Sequence, residues 1–207
     1  ISDSISSFRP QNQLLTSTAV FPSWYPDVVC IMEGQQVFTN NGYINIEHLT
    51  TEHKINNQNI ISVIKQEIKD KLVKFPKHCF AFNIPNKDVY VTHNHMVYNK
   101  DTRSLNNAIV FTLLYDNITV ENAPKRYMYN ILLKDWKLIN VNNLSCESLS
   151  PFDDIAINEF ITKNIYDSSY ISFVNQLNIS NVDDLYVCND SIFIKNNSQQ
   201  YDIESKL

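Results

Sequence analysis

Three side chains in this sequence have the chemistry of a nucleophile and its acid–base partners: the thiol of Cys30 and the imidazoles of His93 and His95. A free thiol is only a few per cent thiolate at neutral pH, so a cysteine that acts as a nucleophile needs a neighbour that activates it. The four cysteines, Cys30, Cys79, Cys146 and Cys188, are widely spaced with no Cys-x-x-Cys pair, which is wrong for a zinc finger and too sparse for a disulfide scaffold. Three of them are expected to be buried, reduced thiols. A zinc site formed by Cys30, His93 and His95 is an alternative, since residues two apart on a strand face the same way.

The segment after Cys30 is what must position its thiol. Both glycines of the chain lie there, Gly34 and Gly42, and glycine enters positive φ without steric cost. Val37-Phe38-Thr39 and Tyr43-Ile44-Asn45-Ile46 read as strands, and Asn40-Asn41-Gly42 between them is a hairpin signal. The order is therefore a cysteine, a tight turn, and a hairpin leading to Ile46 and Leu49.

This order resembles the opening block of the Hint superfamily, the self-processing module of hedgehog proteins and inteins. The matching positions are Cys30, Gly34, Val37, Thr39, Gly42, Ile46 and Leu49, while the family's following Gly-Asp pair is here Glu52-His53. A second block, Thr-x-x-His, is matched by Thr92-His93-Asn94-His95. The resemblance implies that His95 protonates or polarises the scissile amide and that Thr92 binds it. An amide nitrogen leaves poorly until it is protonated or twisted, and a positioned acid contributes roughly 10²–10⁴-fold.

A third block begins at Tyr129-Asn130 and is similar to the closing strands of Hint domains. The run Asn142-Asn143-Leu144-Ser145-Cys146-Glu147-Ser148-Leu149-Ser150-Pro151, with Asn83-Ile84-Pro85-Asn86-Lys87-Asp88 before the second block, is closest in pattern to Hint domains of large DNA viruses. Lys137, Asn142, Asn143 and Cys146 are the supporting residues this implies. Many relatives carry a histidine where Lys137 stands. The His-Asn ending that precedes a Cys, Ser or Thr in inteins is absent, and Asn197-Ser198 has no neighbouring histidine, so full splicing is not expected. The expected activity is an N-to-S acyl shift at Val29–Cys30 with no cofactor and no metal, acting on the chain's own upstream segment. The alternative is a catalytically degenerate module serving as a structural part of a virion protein, with other virion proteins as partners. A papain-like protease is disfavoured because its cysteine starts a helix, whereas Cys30 precedes a turn and hairpin.

Composition sets the remaining bounds. With 207 residues, 43% of them hydrophobic, the chain can bury a real core as one domain or one domain with an appendage. A net charge of −5 without a basic cluster gives no footprint for nucleic acid. No apolar run reaches the roughly 18 residues of a membrane-spanning helix. The chain starts at Ile1 without a secretory signal, as expected of a piece cut from a longer product.

Residues 1–29, with Pro22 and Pro26, read as an extended segment. Residues 30–151 read as a mainly β, Hint-type horseshoe in which the Cys30 strand lies against the closing strand near 142–146. Within it, Ala108 to Leu114, Met128 to Leu133 and Lys137 to Val141 are strand candidates, and 59–75 is ambiguous between strand and helix. Residues 152–207 read as a small α+β appendix. It comprises a helix capped by Asp153 or Ser150, a second helix over Tyr170, Phe173, Val174 and Leu177, a hairpin over 185–194 and a loose tail.

Overall fold

Short strands with one apolar face bury that face only by pairing and stacking, and this chain does so in two antiparallel six-stranded sheets. The protein is described by a computed structural model covering residues 29–165 and 185–194. The first sheet runs β11 (Thr119–Glu121), β7 (Leu72–Phe75), β8 (Val89–Val91), β1 (Ile31–Met32), β12 (Tyr127–Leu132) and β6 (Ser62–Glu67). The second runs β10 (Ser104–Asn107), β9 (Met96–Asn99), β14 (Leu144–Glu147), β13 (Leu138–Val141), β2 (Gln36–Thr39) and β3 (Gly42–Asn45). Two small hairpins, β4 (Lys54–Ile55) with β5 (Gln58–Asn59) and β15 (Leu185–Cys188) with β16 (Ser191–Ile194), complete the strands among the described residues. The chain is mainly β.

The main core joins the sheets through Ile31, Val37, Val73, Phe75, Val91, Val97, Ile131, Ile139, Val141 and Cys146. The chain crosses between sheets at Glu33–Gln35, at Thr92–His95 and at Leu133–Lys137, each time leaving the first sheet and entering the second. Gly34, at φ +84°, takes the first crossing, and Gly42, at φ +95°, follows the Asn40-Asn41 turn of the β2–β3 hairpin. The other two-residue hairpin turns use asparagine or aspartate. Asn56-Asn57, Asn142-Asn143 and Asn189-Asp190 all have positive φ at both positions, the geometry that matches the twist of flanking strands.

The structure corrects two expectations. Ala108–Leu114 is a helix, α1, where its β-branched composition suggested a strand. Its Phe111 packs among Phe75, Phe80 and Tyr115, with ring centroids 5.5–6.2 Å away, and this tertiary contact overrides local propensity. Second, the Cys30 strand does not lie against 142–146. β1 pairs with β8 and β12, while β14 lies in the other sheet between β9 and β13.

The first appendix helix is α2 (Asp154–Thr162), and its N-cap is Asp153, whose carboxylate accepts from the Ile155 N–H at 2.8 Å. Ala156 and Phe160 of α2 pack on Leu132 and Leu149, and Leu185 and Ile192 join Met96, Leu105, Trp136 and Leu138 in a separate cluster. The appendix residues thus share apolar clusters with the two sheets. The extended segment before residue 29, the second helix over Tyr170 to Leu177 and the tail, including Asn197-Ser198, lie outside the described residues.

Phe111 is 1% exposed, so Phe111→Ala should cost about 3–5 kcal/mol of unfolding free energy in chemical denaturation. A loss under 1 kcal/mol would show that α1 is not anchored through that ring.

Candidate active site

Cys30 stands one residue before β1, at the point where the ladder between β1 and β8 ends. In a regular antiparallel pair the Cys30 N–H would donate to a backbone carbonyl. Here the Thr92 N–H donates to the Cys30 carbonyl at 3.0 Å, but the return bond goes from the Cys30 N–H to the Thr92 side-chain Oγ1, also at 3.0 Å. The Thr92 carbonyl has turned away to accept from the His95 N–H at 3.1 Å. Thr92 is therefore the last rung of one sheet and the first residue of the crossing into the other.

The other side of the same peptide is held from β12. The register Ile31 to Tyr129 puts Asn130 level with Cys30, and the Asn130 side-chain Nδ2 donates to the Val29 carbonyl oxygen. The Asn130 Oδ1 in turn accepts from the Ile131 N–H at 2.8 Å, which fixes the amide orientation. Both polar atoms of the Val29–Cys30 peptide are thus bound by side chains, a hydroxyl on the nitrogen and an amide donor on the oxygen.

The turn 92–95 is itself braced from outside. The first N–H groups of α1 have no partner within the helix, and those of Ala108 and Ile109 donate to the carbonyls of His95 and His93 at 2.8 and 3.0 Å. The helix misread as a strand is thus a buttress of the site.

Burial dominates the electrostatics. Cys30 is fully buried, and desolvation, with a smaller contribution from the Asp153 carboxylate, pushes its thiol up to about 12. His95 is also fully buried, and neither ring nitrogen has a hydrogen-bond partner. Desolvation holds its imidazole down at about 3, against a weaker opposing pull from the Glu147 backbone. Glu147, 1% exposed, accepts from the Met96 N–H at 2.9 Å and the Trp136 indole N–H at 3.1 Å. Those two donors favour its anion, but burial wins, and with Asp153 adding to it the carboxyl rises to about 8. At neutral pH the resting site therefore holds a thiol, a neutral imidazole and a carboxylic acid.

The remaining sequence candidates lie elsewhere. Asn142 and Asn143 form the β13–β14 turn, where Asn142 bonds the Gln36 N–H and the Gln35 side chain and Asn143 bonds the Asn83 carbonyl. Cys146 is a core residue of β14, opposite Ile139 and Val97. Lys137 donates from Nζ to Ser191 Oγ at 2.6 Å, tying β13 to the β15–β16 hairpin. His93 lies in a turn and not on a strand, so the same-face premise of a Cys30–His93–His95 zinc site fails, and no cluster of three metal-binding side chains exists among the described residues. No described helix is long and apolar enough to cross a membrane. Sequence reasoning missed Asn130 as a site residue. The signal available was its place in the Tyr129-Asn130 strand, but only the register of β12 on β1 shows what it touches.

These protonation states give a signed pH dependence of stability. His95 ionises near 3 when folded and 6.5 when unfolded, so stability rises with pH over that interval, because the unfolded chain binds the proton first. Glu147 ionises near 8 folded and 4.5 unfolded, so its contribution falls as pH rises, because the folded chain keeps the proton longer. Each slope is at most about 1.4 kcal/mol per pH unit, and the two cancel between 4.5 and 6.5. Denaturant midpoints should rise from pH 3 to 4.5, hold level to 6.5 and fall towards 8. In Glu147→Gln the fall should vanish and the rise should extend to 6.5; a fall that persists would assign it to another group.

No family model and no curated protein matches the chain. Among solved structures, it is similar to a bacterial intein-like domain from Clostridium thermocellum, at 15% identity and a TM-score of 0.45, over 57% of this chain and 96% of that one. It is also similar to the gp41-1 intein, at 14% identity and a TM-score of 0.39, over 58% of this chain and 98% of that one.

Proposed function

We propose that this chain is a Hint-type self-processing domain that makes an N-to-S acyl shift at Val29–Cys30 without full splicing. The observation that carries the reading is the double restraint on one peptide, Thr92 on its nitrogen and Asn130 on its oxygen. Inside a regular antiparallel ladder such a peptide would be held by backbone partners. This one is held by side chains placed where charge changes during acyl transfer.

In the reaction, the Cys30 sulfur attacks the Val29 carbonyl carbon. A C–S bond forms, the C–N bond to Cys30 breaks, and the thiol proton ends on the departing nitrogen, which becomes the Cys30 α-amine. Asn130 donates to the oxygen that turns anionic in the tetrahedral intermediate, a role worth roughly 10²–10³-fold for a single donor. Thr92 accepts from the N–H and keeps the nitrogen in place, and His95 passes the proton to it. A nucleophile bearing a hydrogen then adds to the thioester carbonyl, the C–S bond breaks, and the proton returns to sulfur. The substrate is the chain's own segment ending at Val29.

A second reading has its own support. Lys137 occupies the place of a histidine and serves as a tether to Ser191, and the resting thiol is far from ionised. These favour a degenerate module that acts as a structural part of a virion protein and contacts neighbouring virion proteins, in the virion or the host cytoplasm.

Purified chain incubated with a strong thiol or hydroxylamine, then weighed by mass spectrometry, separates the two. Self-processing yields a fragment ending at Val29. Cys30→Ala should abolish it, and Asn130→Ala should slow it roughly 10²–10³-fold. Undiminished cleavage in Cys30→Ala would overturn the mechanism, and an intact chain under every condition would favour the structural module.

A further inference from the structure

A cavity of about 120 Å³ opens between the β6–β7 connection and the turn after β8, one residue removed from the restrained peptide, whose N–H donates to Thr92 in the cavity wall. Thr92 and His93 form one wall, Gln66 and Ile68 another, and Met128 of β12 contributes to the lining. Thr92 thus belongs at once to this cavity and to the Val29–Cys30 amide, through its hydrogen bond to Cys30. The register shows why the two adjoin. Met128 is level with Met32, and Asn130 with Cys30, so both β12 side chains lie on the sheet face that carries Thr92. The β6–β7 connection arches over that face and closes the cavity above it.

We propose that this cavity is the entry site for the nucleophile that resolves the Val29 thioester, that it admits water or a small polar amine or thiol, and that His93 is the general base that takes the incoming proton. The inference rests on the self-processing reading. Its volume is ample for water or a small polar molecule, since about 10–15 Å³ of such space holds one water. The wall also carries Glu67, Lys69, Asp70 and Lys71, charges of both signs that suit a hydrophilic occupant.

His93 fits the role by position and by state. It follows Thr92 directly, it lines the cavity, and its backbone carbonyl is fixed by the Ile109 N–H of α1. Burial lowers its imidazole below the ordinary range, with Asp70 opposing, which favours the neutral ring that a general base needs. The charged groups facing it across the cavity are Glu67 at the end of β6 and Lys69, Asp70 and Lys71 of the β6–β7 connection; α1 contributes none. In the resolving step, H–Nu adds to the thioester carbon, His93 accepts its proton, the C–S bond breaks, and the proton passes to the Cys30 sulfur. The histidines then divide the work: His95 serves the nitrogen that leaves in the first step, and His93 the nucleophile of the second.

The test separates formation of the thioester from its resolution. Full-length chain is held under native conditions and sampled over time. One half of each sample is quenched in acidic denaturant and then treated with hydroxylamine, which reads the thioester present. The other half receives hydroxylamine or a bulky thiol while folded. Wild type should release the segment with folded-state hydroxylamine and resist the bulky thiol. Gln66→Trp, which fills the cavity, should keep the denatured-state signal and lose at least tenfold in folded-state release. His93→Gln, which leaves β6 untouched, should keep the thioester and slow release on the order of a hundredfold, with loss of the pH inflection below neutrality. Thioester formation with unchanged release in both variants overturns the cavity assignment alone. No thioester in denatured wild type overturns the self-processing reading and this inference with it.

Discussion

The organisation of this protein depends on one substitution of partners: at Cys30 the sheet's hydrogen bond is completed by the Thr92 hydroxyl and not by a backbone carbonyl. A buried N–H must be satisfied, at a cost of about 1–3 kcal/mol if it is not, so the chain cannot omit the bond. It can choose the acceptor. A side-chain oxygen frees the Thr92 carbonyl to hold the His95 N–H, and the turn that results carries the strand into the second sheet. Ending the ladder, turning the chain and delivering an imidazole are therefore one event. Asn130 repeats the device on the other neighbour, replacing a ladder bond with a side-chain donor to Val29.

The legible parts of the sequence were those with local causes. Gly42 after Asn40-Asn41 marked the first hairpin, and Asp153 was one of the two caps expected at the start of α2, whereas the alternation through 61–67 left strand and helix both open. The spacing of Cys30 and Thr92 was also readable by resemblance. What was hidden depends on contacts far apart in sequence. Ala108–Leu114 looks extended residue by residue, and becomes a helix because Phe111 fills an aromatic cluster and the 92–95 carbonyls absorb its first N–H groups. Asn130 is an ordinary strand residue until β1 is laid beside it. The asparagine-rich composition does structural work. With two glycines in the chain, asparagine takes the positive-φ positions that its short polar side chain tolerates.

Lys137 fastens the frame through its backbone and its side chain separately. Its backbone holds Ser148 in both directions, N–H to the Ser148 hydroxyl and carbonyl to the Ser148 N–H, while its ammonium reaches Ser191. The backbone bonds keep β13 and the segment after β14 in register whatever the side chain is. The side chain is then free to fasten the β15–β16 hairpin, whose Leu185 and Ile192 cover Trp136 and Leu138. Trp136 in turn holds Glu147 through its indole, and Glu147 holds the Met96 N–H next to His95. The appendix is thus connected to the turn of the candidate site by a short chain of contacts, each between packed or hydrogen-bonded groups.

The buried protonation states look ill suited to acid catalysis, since an imidazole held near 3 carries almost no proton at neutral pH. The difficulty eases once charge appears. In the proposed reaction, attack by sulfur puts a full negative charge on the Val29 oxygen in a site that excludes water. A negative charge near a buried imidazole favours its protonated form. Such a charge would raise His95 above its resting value of about 3 only while the intermediate exists. The same burial that silences the resting histidine makes it respond strongly to the intermediate, because no solvent screens the two charges. In the proposed reaction, such a site would keep the Val29–Cys30 peptide inert until a nucleophile commits to it, and would supply its acid at the moment the nitrogen must leave.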